Sequence, residues 1–153
     1  FMMAPINTKN VHRTNYLMGN AYGDDFVYDE MLLTGDGDQG KAAADFVAKD
    51  DSFAKSPLKP GEGPSKEERE AGNYEVAFVA QADDGQLLVT SVAGDKDPGY
   101  GSTSKLLAES AVCLLRNPDL AGGGIWTPAA ALGNALIERL EANAGLSFKI
   151  ESP

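Results

Sequence analysis

One cysteine, one histidine and one tryptophan stand among the 153 residues, and 13 basic side chains face 23 acidic ones. A single cysteine excludes an internal disulfide and is compatible with a reducing compartment. One cysteine with one histidine excludes a Cys/His zinc cluster, so no metal site is expected. Net charge of −10 makes nucleic acid and anionic membrane poor partners. Apolar runs fall well short of the ~20 residues that a membrane span needs. The start, Phe1-Met2-Met3-Ala4-Pro5, lacks the charged leader and long apolar stretch of a signal peptide. It also lacks the look of a natural beginning, and the chain reads as a piece of something longer. These absences point to a cytoplasmic, soluble protein.

What is present is enough for one domain, 1–153, with a real core: 42% hydrophobic and 24% charged residues. The charge is uneven. Residues 24–70 hold 13 acids against 6 bases, which marks a solvated, loop-rich face. Cys113 lies in Ala111-Val112-Cys113-Leu114-Leu115, the setting of a buried, inert thiol.

Along the chain, Asn7-Thr8 can cap a helix to about Met18, stopped by Gly19-Asn20. Phe26–Leu33 reads as a strand, and the Gly35–Gly40 loop leads into a helix through Phe46-Val47. Residues 50–64, with Pro57, Pro60 and Pro64, read as a loop. Ser65 with Glu67-Glu68 starts a short helix that Gly72 ends. Tyr74, Val76 and Phe78 alternate, Asp84-Gly85 turns the chain with both residues expected at positive φ, and Leu87–Val92 returns as a hairpin. Helix 102–116 shows Leu106, Leu107, Ala111, Leu114 and Leu115 as its apolar face and ends at Asn117-Pro118. Thr127-Pro128 opens a last helix with Leu132, Leu136 and Leu140 as the buried stripe and Gly145 as its cap. Leu146, Phe148 and Ile150 alternate as a final strand, and Trp126 reads as core. The fold expected is α+β: a two-layer sandwich in which helices cover one face of a mostly antiparallel sheet of four or five strands.

Three short motifs mislead. Gly35-Asp36-Gly37-Asp38-Gln39-Gly40-Lys41 follows the P-loop spacing, but Ala42 stands where Ser or Thr must hold Mg²⁺, and two aspartates would repel a triphosphate. As a calcium loop it lacks the bidentate acid, since Val47 is twelfth from Asp36. Ser102-Thr103-Ser104-Lys105 spells S-x-x-K, without the S-D-N and K-T-G motifs of that chemistry. Gly99-Tyr100-Gly101-Ser102-Thr103-Ser104 imitates a dinucleotide fingerprint, yet the preceding strand belongs to a hairpin.

The segment 97–105 remains the most informative. Two glycines, three hydroxyls and the free N–H groups of a helix start together suit a carboxylate or phosphate. The same residues make an ordinary turn and N-cap, and both readings stand.

Several stretches together resemble the C-terminal domain of saccharopine dehydrogenase-like oxidoreductases, the trans-acting enoyl reductases among them. They are Met3–Asn15, Tyr28-Asp29-Glu30-Met31, Lys59–Ser65 with Glu67–Gly72 behind it, Gly94–Lys105, and Gly124-Ile125-Trp126-Thr127-Pro128. The resemblance implies a two-part enzyme. An N-terminal Rossmann domain would bind NAD or NADP, and this chain would close the substrate cleft and support a homodimer. No cofactor is expected in this chain alone. The resemblance also implies two clusters facing the Rossmann domain. Asn7, His12 and Arg13 would hold a small-molecule substrate, Arg13 through a carboxylate or phosphate. Tyr100 and Lys105 would donate a proton or polarise a carbonyl, with Ser102 and Thr103 binding substrate. A free-standing acidic binding module, using 99–105 as an anion or protein contact, is the alternative.

Overall fold

A computed structural model describes residue 1, residues 3–50, residue 59 and residues 61–152. Pro57 and Pro60 of the expected 50–64 loop lie outside the described residues. The chain divides into two compact units, Phe1–Glu62 and Gly63–Pro153.

The first unit carries α1 (Ala4–Leu17) and α2 (Gly37–Lys49). Helix α1 begins before Asn7-Thr8, with Met3 at the N-cap and Pro5 in the first turn, where a missing N–H costs nothing. Buried Asn15 stitches the turn that follows: its amide donates to the Gly23 carbonyl at 2.8 Å and accepts from the Tyr22 N–H at 2.8 Å. Phe26–Leu33 forms no strand, which corrects the expectation. No ladder partner reaches it among the described residues. It is held instead by side chains, with the Phe26 ring 5.6 Å from His12 and 5.4 Å from Tyr22. Asn7 donates to the Glu30 carboxylate at 3.1 Å. Burial pushes the Tyr28 hydroxyl up to about 12, with its bond to Glu30 and the Glu30 charge adding to the effect. The P-loop imitation is already helical from Gly37, and a Cβ on buried Gly40 would run into the Gly35 carbonyl, so no phosphate cradle forms.

The second unit carries α3 (Lys66–Ala71), β1 (Tyr74–Gln81), β2 (Leu87–Gly94), α4 (Gly101–Arg116), α5 (Pro128–Asn143) and β3 (Leu146–Ser152). Ser65 and Glu68 close a reciprocal capping box on α3. The sheet is antiparallel in the order β1-β2-β3, so three strands replace the expected four or five. The hairpin pairs Tyr74 with Gly94 and Gln81 with Leu87. Its turn differs from the expectation. Only Gly85 carries positive φ, its N–H donates to the Ala82 carbonyl at 2.9 Å, and the Asp84 carboxylate accepts from the Gln86 N–H. The Ala82 N–H donates to the Gln86 carbonyl at 2.9 Å, which leaves Asp83-Asp84-Gly85 as a three-residue loop that ends in a left-handed glycine instead of placing two residues at positive φ.

The core joins Cys113 of α4, Ala131, Leu132, Leu136 and Leu140 of α5, Ala144 and Leu146, with Val92, Leu106 and Phe148 packed against it. Helix α5 contains a kink at Gly133 (φ 49°, ψ −134°), a conformation that any residue with a Cβ resists. Of the expected apolar face of α4, Leu106 packs against the core, but Leu107, Leu114 and Leu115 turn outward. Ser102, Leu106, Ser110 and Cys113 follow the helical repeat toward the core, whereas Leu107 and Leu115 are 72% and 81% exposed. Trp126 is also exposed rather than core, because its indole N–H donates to the Gly122 carbonyl at the surface. Among the described residues, no helix is long and apolar enough to cross a membrane.

Candidate functional site

The turn from β2 into α4 is built around Asp97. Its carboxylate accepts from the backbone N–H groups of Gly99 and Tyr100, each at 3.0 Å, and of Gly101 at 2.5 Å. The Asp97 N–H donates to the Arg69 carbonyl, and its own carbonyl accepts from the Ser102 N–H. These bonds, led by the one from Tyr100, hold the carboxyl below the usual aspartate range. The free N–H groups expected to receive an external anion are therefore filled by the chain's own carboxylate. Asp97-Pro98 was the sequence signal: an acid before proline, two residues ahead of glycine, favours this kind of turn.

The neighbouring hydroxyls are also engaged. Ser102 has no exposed surface, and its hydroxyl shares a hydrogen bond of 2.8 Å with the Tyr74 hydroxyl. The Thr103 hydroxyl donates to the Pro98 carbonyl at 2.7 Å. Tyr74 lies across Gly94, where a Cβ would strike the ring. Lys105 donates to Asp95 at 2.7 Å and to the Ala144 carbonyl at 3.0 Å, so it ties the start of α4 to the end of α5. The Lys105 bond is the main cause of a lowered Asp95 pKa. The Tyr100 side chain is 53% exposed and sits against Gly63.

Lys105 also lines an open cleft of about 260 Å³ with Lys66, Arg69, Glu70, Lys96, Gly101 and Ser104. Sequence reasoning missed Lys66, Arg69, Lys96 and Ser104, because nothing in their spacing shows that α3, the β2–α4 turn and α4 converge.

The other expected residues lie in the first unit, on α1. Asn7 engages Glu30, His12 packs edge-on against Phe26, and the Arg13 guanidinium lies 5.6 Å from the centre of the Tyr16 ring. His12 and Arg13 are exposed.

The chain is similar to trans-acting enoyl reductases. It is 36% identical to a Mycobacterium tuberculosis protein provisionally given that name, over 97% of this chain and 40% of the relative. It is 33% identical to the trans-acting enoyl reductases of Mycobacterium ulcerans and Mycobacterium bovis, over 92% of this chain and 38% of each relative. The chain thus spans about 40% of the length of these curated relatives. No protein-family model matches the sequence, and no solved structure matches the fold.

A dinucleotide fits poorly at the start of α4. Its diphosphate would compete with Asp97 for the same N–H groups, so no hydride-transfer step is assigned to this chain.

Proposed function

We propose that residues 1–153 act as one substrate-binding and dimerisation domain of an NAD(P)-dependent oxidoreductase of the saccharopine dehydrogenase-like, trans-acting enoyl reductase type. In this reading the domain follows a Rossmann domain of the same polypeptide, works in the cytoplasm as a homodimer, and is inert alone. The carrying observation is similarity along 97% of this chain to 40% of a longer relative of that name.

Exposed apolar side chains support the reading. Leu107, Leu114 and Leu115 on α4, and Val76, Phe78, Leu88 and Ile150 on the sheet, all lie open. The strand register places the last four on one face with Val92 and Phe148. Apolar surface of this extent is characteristic of an interface.

Tyr100 and Lys105 are the proposed proton donor and polarising cation for a small-molecule substrate. Asn7, His12 and Arg13 are its proposed anchors. Ser102 and Thr103, the expected substrate contacts, are proposed to act on the site by holding the turn in place through their bonds to Tyr74 and Pro98. The rival is a free-standing acidic binding module that uses 99–105 as an anion or protein contact; its anion form conflicts with Asp97 already filling that position.

The test is steady-state kinetics of a full-length enzyme carrying Arg13→Ala or Lys105→Ala, with thermal unfolding measured alongside. A fall in turnover of about a hundredfold for Lys105→Ala is the size expected for a lost acid–base group. Unchanged kinetics in folded variants would return both residues to structural roles.

A further inference from the structure

The cleft beside Asp97 has a chemistry of its own. Four of the chain's 13 basic side chains, Lys66, Arg69, Lys96 and Lys105, line it with one acid, Glu70, although the whole chain carries −10. They come from α3 and from the β2–α4 turn with the α4 that follows it, two segments separated in sequence by the β1–β2 hairpin and brought together by the fold. The bond from the Asp97 N–H to the Arg69 carbonyl, at 3.1 Å, fastens α3 to the turn. Gly101 lies where they meet: a Cβ there would sit 2.7 Å from the Asp97 carboxylate, 2.9 Å from the Lys96 Cβ and 3.2 Å from the Arg69 carbonyl, so glycine permits the close approach of the turn to α3.

The donor inventory is in surplus. An arginine offers five N–H groups, and Arg69 uses one Nη1 donor on the Pro64 carbonyl at 2.6 Å. Lys105 uses two of three, on Asp95 and Ala144. Lys96 makes no hydrogen bond or ion pair among the described residues, and Lys66 reaches Glu70 only at 3.9 Å. Asp95 and Asp97 stand nearby and feel the charges of Lys96 and Arg69, but their hydrogen bonds are taken by Lys105 and the turn N–H groups, so the Lys96 ammonium and the spare Arg69 donors stay open to a ligand. Converging lysines and an arginine with spare donors match a group with two or more negative charges and several acceptor oxygens, which is a phosphate rather than a single carboxylate.

We propose that this cleft binds the phosphate of a small phosphorylated ligand, with Arg69 and Lys96 as its main contacts and Lys66 and Lys105 at its rim. The assignment stands on the cleft and not on the oxidoreductase reading, so failure of that reading leaves it intact.

Titration of the 153-residue chain with inorganic pyrophosphate, followed by two-dimensional amide NMR against a chloride control of equal ionic strength, tests it. The expected result is saturable shifts at Lys96, Gly101 and Ser104, and an affinity reduced about tenfold in Lys96→Gln and further in Arg69→Gln/Lys96→Gln. Lys149→Gln, on β3 outside the cleft, should bind as the parent does. Competition by AMP but not glycerol 3-phosphate would identify a nucleotide source, and competition by both a phosphate taken from any small ligand. Shifts no larger than in chloride would overturn the proposal. So would equal affinity in the double variant, provided its amide spectrum shows it folded.

Discussion

Removing one oxygen from Tyr74 probes the joint that holds the turn 95–105 in place. Tyr74→Phe deletes the partner of the Ser102 hydroxyl, a group with no exposed surface, while leaving the ring across Gly94. A buried hydroxyl left without its partner costs about 1–3 kcal/mol. Ser102→Ala is the gentler cut, at about 0.5–1.5 kcal/mol, because the Tyr74 hydroxyl lies at a part-buried position that water can reach. The double variant removes both halves and should lose less than the sum, with a coupling of about 0.5–1.5 kcal/mol. Urea unfolding followed by the fluorescence of Trp126, the one tryptophan, reads this directly. With a slope of about 2 kcal/mol per molar, a 2 kcal/mol loss moves the midpoint down by about 1 M. A Tyr74→Phe midpoint within about 0.2 M of the parent, or strict additivity in the cycle, would refute the buried bond.

Leu136→Ala and Leu140→Ala each empty a buried position on α5 and should cost about 2–5 kcal/mol in the same urea assay, whereas Leu115→Ala, 81% exposed, should change little. Gly94→Ala drives a methyl group into the Tyr74 ring and should cost about 1–3 kcal/mol by thermal unfolding. Asp95, Asp97 and Glu68 all have depressed pKa values, from the bonds of Lys105, of the turn N–H groups and of Ser65 respectively. Their contribution is present above the unfolded carboxylate values near ~4 and is lost as pH falls through the lower folded ones. Unfolding curves from pH 6 to pH 2 should therefore show falling stability, with Asp97→Asn flattening the acid limb. Tyr28 should ionise near 12 by ultraviolet titration, and its raised value means that the first unit loses stability as pH climbs above about 10; a difference spectrum unchanged by Tyr28→Phe between pH 11 and 12.5 contradicts this.

Features set by neighbouring residues were legible in the sequence. Alternation over Tyr74–Phe78 and Leu87–Val92 gave the hairpin, Ser65 with Glu68 the capping box, and Leu132, Leu136 and Leu140 the buried side of α5. Features set by distant partners were not. Phe26–Leu33 has strand-forming residues, but a strand needs a ladder partner, and aromatic and Glu30 contacts hold the segment instead. The number of leucines dominated the α4 pattern, but of them Leu106 packs on the core while Leu107, Leu114 and Leu115 face outward; the buried stripe runs through Cys113, which packs with α5, and Ser102, which bonds Tyr74. Trp126, just before the capped helix α5, is expected in the core, but its indole bonds a surface carbonyl instead. At the candidate site, glycines and hydroxyls mark the helix start, but that Asp97 folds back onto its N–H groups depends on the turn geometry, which composition does not show. The basic cleft was invisible because Lys66 and Lys96 are thirty positions apart.

The first measurement is the coding DNA upstream of Phe1. If the chain is the second part of a two-domain oxidoreductase, as proposed, a continuous open frame there encodes a strand, a Gly-x-Gly-x-x-Gly turn and a helix. A start codon immediately before Phe1 would make the chain an independent protein and overturn the proposal.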